Sequence, residues 1–274
     1  MSNLYVQALH VHPVKSLGGI APDEVAVEPW GLAGDRRWAL VDAEGTVITQ
    51  RRQPRLALAA ARPVDGGRIT VTAPGMAELV VEVPEAGPLE SVALFGKTFD
   101  TVVAGAAAAE WFGAYLGIPA RLVHLDDPAV RRPVDPEYAL PGETVSLADG
   151  YPLMATTLAS LDALNAWIAR GDHAAEGPLP MDRFRPNVVV SGAEAWAEDN
   201  WRRVAIGDAV FRGVRECGRC VVTTTDQATA ERGKEPLKTL AAYRRIGKSL
   251  AFGRQLVPVR LGTVRVGDEV RVLG

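Results

Sequence analysis

Short segments in which apolar and polar residues alternate fill the first 105 residues of this chain, and glycine or proline turns separate them. A period of two puts every second side chain on one face, which is typical of a strand with one buried side. The predicted strands cover residues 5–12, 37–42, 46–49, 56–61, 68–71 and 79–83. Many short strands at close spacing predict a sandwich or a barrel rather than alternating strands and helices.

Two helices are predicted after this region. Residues 106–116 are rich in alanine and end at Gly117, and leucines recur at helical spacing within residues 158–170. Thr157 precedes the second helix and is suited to its N-cap. Residues 126–142 hold four prolines and several charges, which predicts a long surface loop.

Strand signals return in the last 90 residues. Strands are predicted at residues 187–190 and in the β-branched run 221–225. Gly207-Asp208 and Gly267-Asp268 each lie between β-branched residues, which predicts two similar hairpin turns. The expected fold is therefore mainly β with peripheral helices, of the α+β class.

The composition of the chain limits the classes of protein to which it can belong. The 274 residues are 47% apolar and 23% charged, which predicts a folded chain with a substantial core. With 30 basic and 33 acidic residues, the chain has no basic excess to neutralise phosphates, so nucleic acid is not expected as a partner. No apolar run approaches the roughly 20 residues that span a bilayer, and no signal peptide is visible. Two cysteines indicate a reducing compartment, and a cytoplasmic location is expected.

Cys217-Gly218-Arg219-Cys220 is the most conspicuous motif, and it has several interpretations. A zinc site needs further ligands, but the four histidines are remote in sequence. A thioredoxin-like dithiol needs a helix after the first cysteine, whereas a β-branched run follows here. A single thiolate would suit a soft metal such as molybdenum, and Arg215 and Arg219 favour the thiolate form. Taken alone, the pair is most simply two small buried side chains.

Basic residues follow or precede predicted strands at three places. Lys15-Ser16 comes before two glycines, Arg36 precedes a strand, and Arg183 and Arg185 precede another. Lysine, serine and backbone N–H groups bind anions, and arginine binds phosphate and planar heterocycles. An ordinary turn and surface ion pairs explain the same residues without a ligand.

Taken together and in order, the motifs resemble the MOSC family, which is named for the C-terminal domain of molybdenum cofactor sulfurase. The similarity is greatest to the branch with an N-terminal β-barrel domain, which includes the amidoxime-reducing components, and it covers essentially the whole chain. The stretches that carry the resemblance are Pro13-Val-Lys-Ser16, Gly34-Asp-Arg36 with Trp38, Thr49-Gln-Arg51 with Pro54-Arg-Leu56, Phe184-Arg-Pro-Asn187, Cys217-Gly-Arg-Cys220 with Thr223, Thr224 and Asp226, Lys234-Glu-Pro-Leu237, Phe252-Gly253, and residues 262–268.

The resemblance implies an N-terminal β domain over residues 1–122 and a MOSC β-barrel over residues 123–274. It also implies a molybdenum-pyranopterin cofactor, with Cys220 as the catalytic residue and metal ligand. The residues implied to bind the cofactor are Lys15, Ser16, Arg36, Asp149, Thr157, Arg185, Asn187, Gly218 and Arg219. Pyridoxal phosphate binding is a second cofactor description that accompanies the resemblance.

The activity implied by the resemblance is reduction of small N-hydroxylated compounds. Electrons would come from a separate ferredoxin-like or cytochrome-b5-like protein, because the chain has no Cys-x₄-Cys-x₂-Cys spacing for an iron–sulfur cluster. Two alternatives stay open: a carrier or sulfur-transfer module that binds the cofactor without turnover, and a thiol redox protein that uses both cysteines.

Overall fold

Nineteen β-strands and four α-helices lie within residues 3–84 and 89–274, which are the residues that the computed structural model describes. The strands up to the first helix are β1 (Tyr5–Leu9), β2 (Glu24–Glu28), β3 (Gly31–Leu32), β4 (Trp38–Val41), β5 (Val47–Ile48), β6 (Ala60–Pro63), β7 (Ile69–Thr72), β8 (Leu79–Val81), β9 (Leu89–Leu94) and β10 (Lys97–Val103). The later strands are β11 (Arg121–His124), β12 (Leu153–Thr157), β13 (Val188–Ser191), β14 (Arg203–Ile206), β15 (Ala209–Gly218), β16 (Arg245–Ile246), β17 (Ser249–Arg260), β18 (Gly262–Arg265) and β19 (Val270–Val272). The helices are α1 (Ala106–Leu116), α2 (Pro128–Arg131), α3 (Leu158–Ile168) and α4 (Leu237–Tyr243).

The largest sheet closes on itself. Its strand order is β1-β13-β12-β17-β15-β14-β19, with β16 paired to the start of β17. The two outer strands meet: the Val6 N–H donates to Asp268 O at 2.9 Å, and the Val270 N–H donates to Leu4 O at 2.8 Å. The fold is therefore mainly β and barrel-shaped, as predicted, and the barrel removes the exposed edges that an open sheet would have.

A second sheet has the strand order β5-β4-β11-β10-β9 and nearly closes in the same way. The Ala93 N–H donates to Gly45 O at 2.8 Å, which joins the turn before β5 to β9. Gly45 has a φ of 77°, and a Cβ at this position would lie 2.9 Å from Ser91 O. Only glycine accommodates both the turn and the close approach of the second strand.

The beginning of the chain packs with its end. β1 pairs with β13, and β2 pairs with β18 in a small sheet. Val6, Leu9 and Val27 are buried in the same hydrophobic core as Val188 and Phe211. The predicted division between residues 122 and 123 stays a prediction, and β11 extends across that point.

The predicted helices are present. α1 covers the predicted residues and ends at Gly117, which adopts the left-handed conformation. α3 begins after Thr157, whose hydroxyl accepts a hydrogen bond from the Ser160 N–H at 3.1 Å, as an N-cap does. Within residues 3–84 and 89–274, no helix combines the length and the apolar character that a bilayer crossing requires.

Three local predictions were wrong. Residues Pro54–Leu58 form a 3₁₀-helix instead of the start of a strand, because Pro54 stands at the first helical position. Residues Val221–Thr224 also form a 3₁₀-helix, since threonine hydroxyls bond to nearby carbonyls and offset the strand preference of the run. Gly267-Asp268 joins β18 to β19, which lie in different sheets, so this turn makes no hairpin.

Candidate functional site

Residues from distant parts of the sequence line one cavity, which holds about 800 Å³ of space free of protein atoms, counting the part open to solvent. The lining includes all but one of the predicted site residues, namely Lys15, Ser16, Arg36, Asp149, Arg185, Asn187, Gly218, Arg219 and Cys220. They come from the turn after β1, the turn before β4, the segment before β12, the turn before β13 and the end of β15.

The two cysteines have different surroundings at this cavity. Cys217 is buried near the end of β15, and its Sγ accepts hydrogen bonds from Arg219 Nη1 at 2.8 Å and Gln255 Nε2 at 3.0 Å. Burial raises the pKa of Cys217, although Arg219 opposes the change. Cys220 is partly exposed and follows the strand, where the Thr223 hydroxyl donates to its carbonyl at 2.9 Å. Of the two cysteines, Cys220 is therefore the one whose side chain is more accessible to a ligand.

An ion-pair network forms one wall of the cavity. Lys15 Nζ lies 2.5 Å from Asp149 Oδ1 and donates to Leu147 O at 2.8 Å, and Arg51 Nη2 lies 2.9 Å from Asp149 Oδ2. The Asp149 side chain is 54% exposed because it opens onto the cavity, whereas that of Lys15 is only 5% exposed. The surrounding protein removes part of the water from the Asp149 carboxylate and so disfavours its charge, but Lys15 and Arg51 outweigh this effect and hold the pKa of Asp149 well below the ordinary value.

The surroundings of Lys15 disfavour its charged form. Burial lowers the pKa of Lys15 to about 8; Asp149 opposes this shift, whereas Arg132 and Arg36 add to it. Arg132 is buried behind this wall and donates to Ala148 O at 2.7 Å. Several positive charges thus lie close together around one carboxylate, an arrangement that an anionic ligand would stabilise.

A second wall contains two arginines whose backbones adopt the left-handed region. Arg36 pairs with the fully buried Asp35 and donates to Arg185 O at 3.2 Å, and Arg185 Nη2 donates to Leu17 O at 2.6 Å. Burial, with Arg36 next, lowers the pKa of Arg185 to about 9. The φ angles of Ser16, Arg36 and Arg185 are 71°, 51° and 51°. Strain of this kind persists where surrounding contacts fix the backbone, and it is common at functional sites.

The donor set fits an anionic heterocyclic ligand. Five cationic side chains line the cavity, whereas Asp149 is the one carboxylate among the described lining residues. The five are Lys15, Arg36, Arg51, Arg185 and Arg219. Arg219 Nε is buried and has no hydrogen-bond partner in the described part of the chain. A phosphate with about two negative charges would supply acceptors for these donors, and the Asn187 amide can match the polar edge of a heterocycle.

A metal could in principle also be bound by protein side chains alone. Among residues 3–84 and 89–274, no group of three or more histidine, cysteine or acidic side chains is positioned to hold a metal ion. A metal at this cavity would depend on Cys220 and on ligands that another group supplies.

Thr157 is the predicted site residue that lies away from the cavity. Its side chain is fully buried, and its hydroxyl lies 2.7 Å from Ser160 Oγ and 3.2 Å from Glu198 Oε2. Burial raises the pKa of Glu198, and the hydroxyls of Ser160 and Thr157 oppose this shift. The Thr157 hydroxyl is therefore engaged within the protein, and the implied contact with a cofactor is not supported by its position.

Two basic residues of the site were not among the predicted ones. Arg51 lines the cavity, and Arg132 lies behind it. Arg51 belongs to one of the stretches that carry the family resemblance, which was the available signal. Nothing in the sequence marked Arg132 as a site residue, because it falls in a segment that indicates only a loop.

Comparison with known proteins gives two family matches. The family described as the MOSC N-terminal beta barrel domain matches residues 3–119, and the MOSC domain matches residues 142–271. The human "Mitochondrial amidoxime-reducing component 1" is 33% identical over 98% of this chain and 83% of its own length. The "Mitochondrial amidoxime reducing component 2" of Rattus norvegicus is 33% identical over 97% of this chain and 82% of its own. A solved structure, the YUAD protein from Bacillus subtilis, is 12% identical with a TM-score of 0.44, and the match covers 98% of this chain and 97% of that one.

Proposed function

This chain belongs to the family of MOSC-domain proteins with an N-terminal β-barrel domain, and we propose that it is a molybdenum-pyranopterin oxidoreductase that reduces N-hydroxylated compounds. The observation that carries the proposal is the convergence of five cationic side chains on the cavity that contains Cys220. The names of the relatives, which are amidoxime-reducing components, support the substrate class.

The residues of the cavity divide into groups by what they can bind. Lys15, Arg36 and Arg185 would hold the dianionic phosphate, and Ser16 would add a hydroxyl donor. Asn187 and Arg219, together with the backbone of Gly218, would bind the polar edge of the pterin. Burying such an anion requires several fixed donors, because each unpaired charge is costly away from water.

Cys220 would supply the thiolate that binds the metal. Its carbonyl is fixed by the Thr223 hydroxyl, and the side chain is partly exposed at the cavity, so the sulfur is accessible to a ligand. Cys217 has a different role, because its sulfur accepts hydrogen bonds from Arg219 and Gln255. The contact with Cys217 and a hydrogen bond to Phe184 O at 2.6 Å hold the Arg219 side chain next to the ligand position.

The chemistry that the bound group supplies is two-electron removal of the hydroxyl oxygen, in which an N–OH compound, two electrons and two protons give the N–H compound and water. The protein supplies binding, orientation and access to that centre. Electrons come from a separate donor protein.

The test is purification from a host that makes the molybdenum cofactor, with a host that cannot make it as the control. We expect molybdenum by elemental analysis, pterin fluorescence after denaturation, and reduction of an amidoxime by the protein with reduced methyl viologen. Metal and pterin without turnover would contradict the reductase and indicate a carrier. Bound pyridoxal phosphate, or a titratable dithiol without metal, would contradict the cofactor as well.

A further inference from the structure

The segment of residues 231–248 carries a positive charge that the rest of the chain does not. It contains six basic and two acidic residues, whereas the whole chain has a net charge of −3. One of the two acidic side chains, Glu235, is buried. The basic residues are Arg232, Lys234, Lys238, Arg244, Arg245 and Lys248. The segment includes α4 and β16 and is called the basic segment below.

The basic segment is anchored on both sides of Cys220. Near its start, the Gly233 N–H donates to Thr224 O at 3.0 Å. Just after its end, Leu250 O accepts a hydrogen bond from the Arg219 N–H at 2.7 Å. These contacts hold the backbone at both ends of the segment next to residues 219–224, the stretch that carries Cys220.

Four charges of the basic segment are available for a partner. Lys234, Lys238, Arg245 and Lys248 are exposed, and no carboxylate of the described residues forms an ion pair with them within 4.0 Å. Arg232 is exposed as well, but it donates to the backbone carbonyl of Arg51 at 2.8 Å. Arg244 differs, because its Nη2 pairs with Asp199 at 2.7 Å. A cluster of unneutralised like charges on an acidic protein attracts a partner of opposite charge over a distance comparable to the Debye length.

An exposed aromatic ring stands at the end of α4. The Tyr243 side chain is 62% exposed and stacks on Trp167, with ring centroids 4.8 Å apart. Trp167 stacks on Trp196 at 5.3 Å, and Trp196 meets Phe252 edge to face at 6.0 Å. Phe252 in turn stacks at 3.8 Å on Phe184, which lines the cavity. The ring is therefore fixed by a packed aromatic row that reaches the site, and a fixed exposed tyrosine is typical of an interface anchor.

We propose that the basic segment, with its exposed Tyr243, is the docking surface for an acidic one-electron-transfer protein. The proposal rests on the proposed function, since reduction of one N–OH group consumes two electrons, which the partner delivers in two successive transfers while it is oxidised. Charge complementarity favours an acidic protein, and the position beside Cys220 favours one that must approach the cavity.

The test uses two purified acidic probes, a [2Fe–2S] ferredoxin and a soluble cytochrome b5 domain, each titrated into the purified protein by calorimetry. We expect at least one to bind, with an affinity that falls as salt is raised. Lys238→Glu and Lys248→Glu should each weaken binding about fivefold at low salt, and Tyr243→Ala about tenfold. Arg62→Glu is the matched control, because Arg62 is exposed on β6 in a different sheet, and it should leave the affinity unchanged.

A second measurement separates this proposal from the proposed function. Turnover of the loaded protein is compared with the bound probe as donor and with reduced methyl viologen, which needs no docking surface. We expect the Lys238→Glu and Lys248→Glu variants to lose turnover only with the protein donor. Binding of neither probe, equal effects of Arg62→Glu, or preferential binding to anionic lipid vesicles would overturn the docking surface. If the loaded wild-type protein shows no turnover with reduced methyl viologen, that result would instead contradict the proposed function.

Discussion

Lys15 and Asp149 are 134 positions apart in the sequence and form an ion pair of 2.5 Å at the wall of the cavity. The lysine comes from the turn after the first strand, and the aspartate precedes β12 in the large barrel. This contact joins a turn near the start of the described residues to the segment that leads into the large barrel. It also keeps a buried lysine charged where burial alone would disfavour the charge, because an opposite charge compensates for part of the lost hydration.

The pKa of Lys15 makes anion binding depend on pH. Lys15 is charged below about pH 8 and loses its charge as the pH rises through that value. Sulfate, which does not itself titrate in this range, should therefore bind with constant affinity below pH 8 and more weakly above it, by up to about tenfold per pH unit. In Lys15→Met this decline should be absent, because the group that titrates near pH 8 has been removed. Calorimetric titrations across this range check the expectation, and identical profiles for both proteins would contradict it.

Arg51 and Arg52 are neighbours in sequence with different surroundings, which makes them a matched pair. Arg51 lines the cavity and pairs with Asp149, whereas the Arg52 side chain is 69% exposed and pairs with Asp42 at 3.3 Å. Arg51→Met should weaken sulfate binding about tenfold, because it removes a partly buried charge from the wall. Arg52→Met should change it less than twofold. Equal losses would mean that general surface charge, and not the cavity, binds the anion.

The two cysteines should respond differently to substitution. Cys220→Ala should remove nearly all molybdenum from the purified protein and abolish turnover, because no other thiolate is available at that position. Cys217→Ala should retain much of both, since Cys217 accepts hydrogen bonds from Arg219 and Gln255 without being a ligand. Metal analysis and turnover are measured on the same preparations. Equal loss in the two variants would favour a dithiol.

Thr157 provides a test of the cofactor assignment from outside the cavity. Thr157→Val removes the N-cap of α3 and a hydroxyl contact to Glu198, which should lower the free energy of unfolding by about 1–3 kcal/mol. Molybdenum content should stay at the wild-type value. Calorimetry gives the stability, and Thr98→Val on the exposed face of β10 serves as the control that should change neither quantity. Loss of metal in Thr157→Val at unchanged stability would restore the implied contact.

Secondary structure could be predicted from the sequence where the signals that specify it lie within a few residues of each other and agree. α1 was predicted with its correct ends because alanines and a terminal Gly117 specify both the helix and its stop. The Val221–Thr224 run was misjudged because β propensity competes with threonine hydroxyls that bond to backbone carbonyls, and the outcome depends on local geometry.

The site was predictable to the extent that its residues lie in recognisable motifs. Lys15, Arg36 and Cys220 were expected at one cofactor site because of the family resemblance, whereas the residues alone did not specify their proximity. That proximity depends on pairings such as that of β1 with β13, which no local pattern specifies. Arg132 was missed because its contacts, including Ala148 O, form only after the loop folds back on the chain. Thr157 was predicted correctly as an N-cap, which is a local property.

Closure of the large barrel between β1 and β19 has a consequence for how the chain acquires its structure during synthesis. β1 leaves the ribosome well before β19, the strand that closes the barrel against it. Contacts between residues so far apart slow folding, because the intervening chain must be ordered before they form. β1 can pair with β13 earlier, but its other edge must wait for β19, and Lys15 can reach its partner Asp149 only after residue 149 has been made. The complete pocket takes residues from Lys15 to Gln255 and so forms in neither half alone, and fragments that end before β19 should yield chains that aggregate rather than bind the anion.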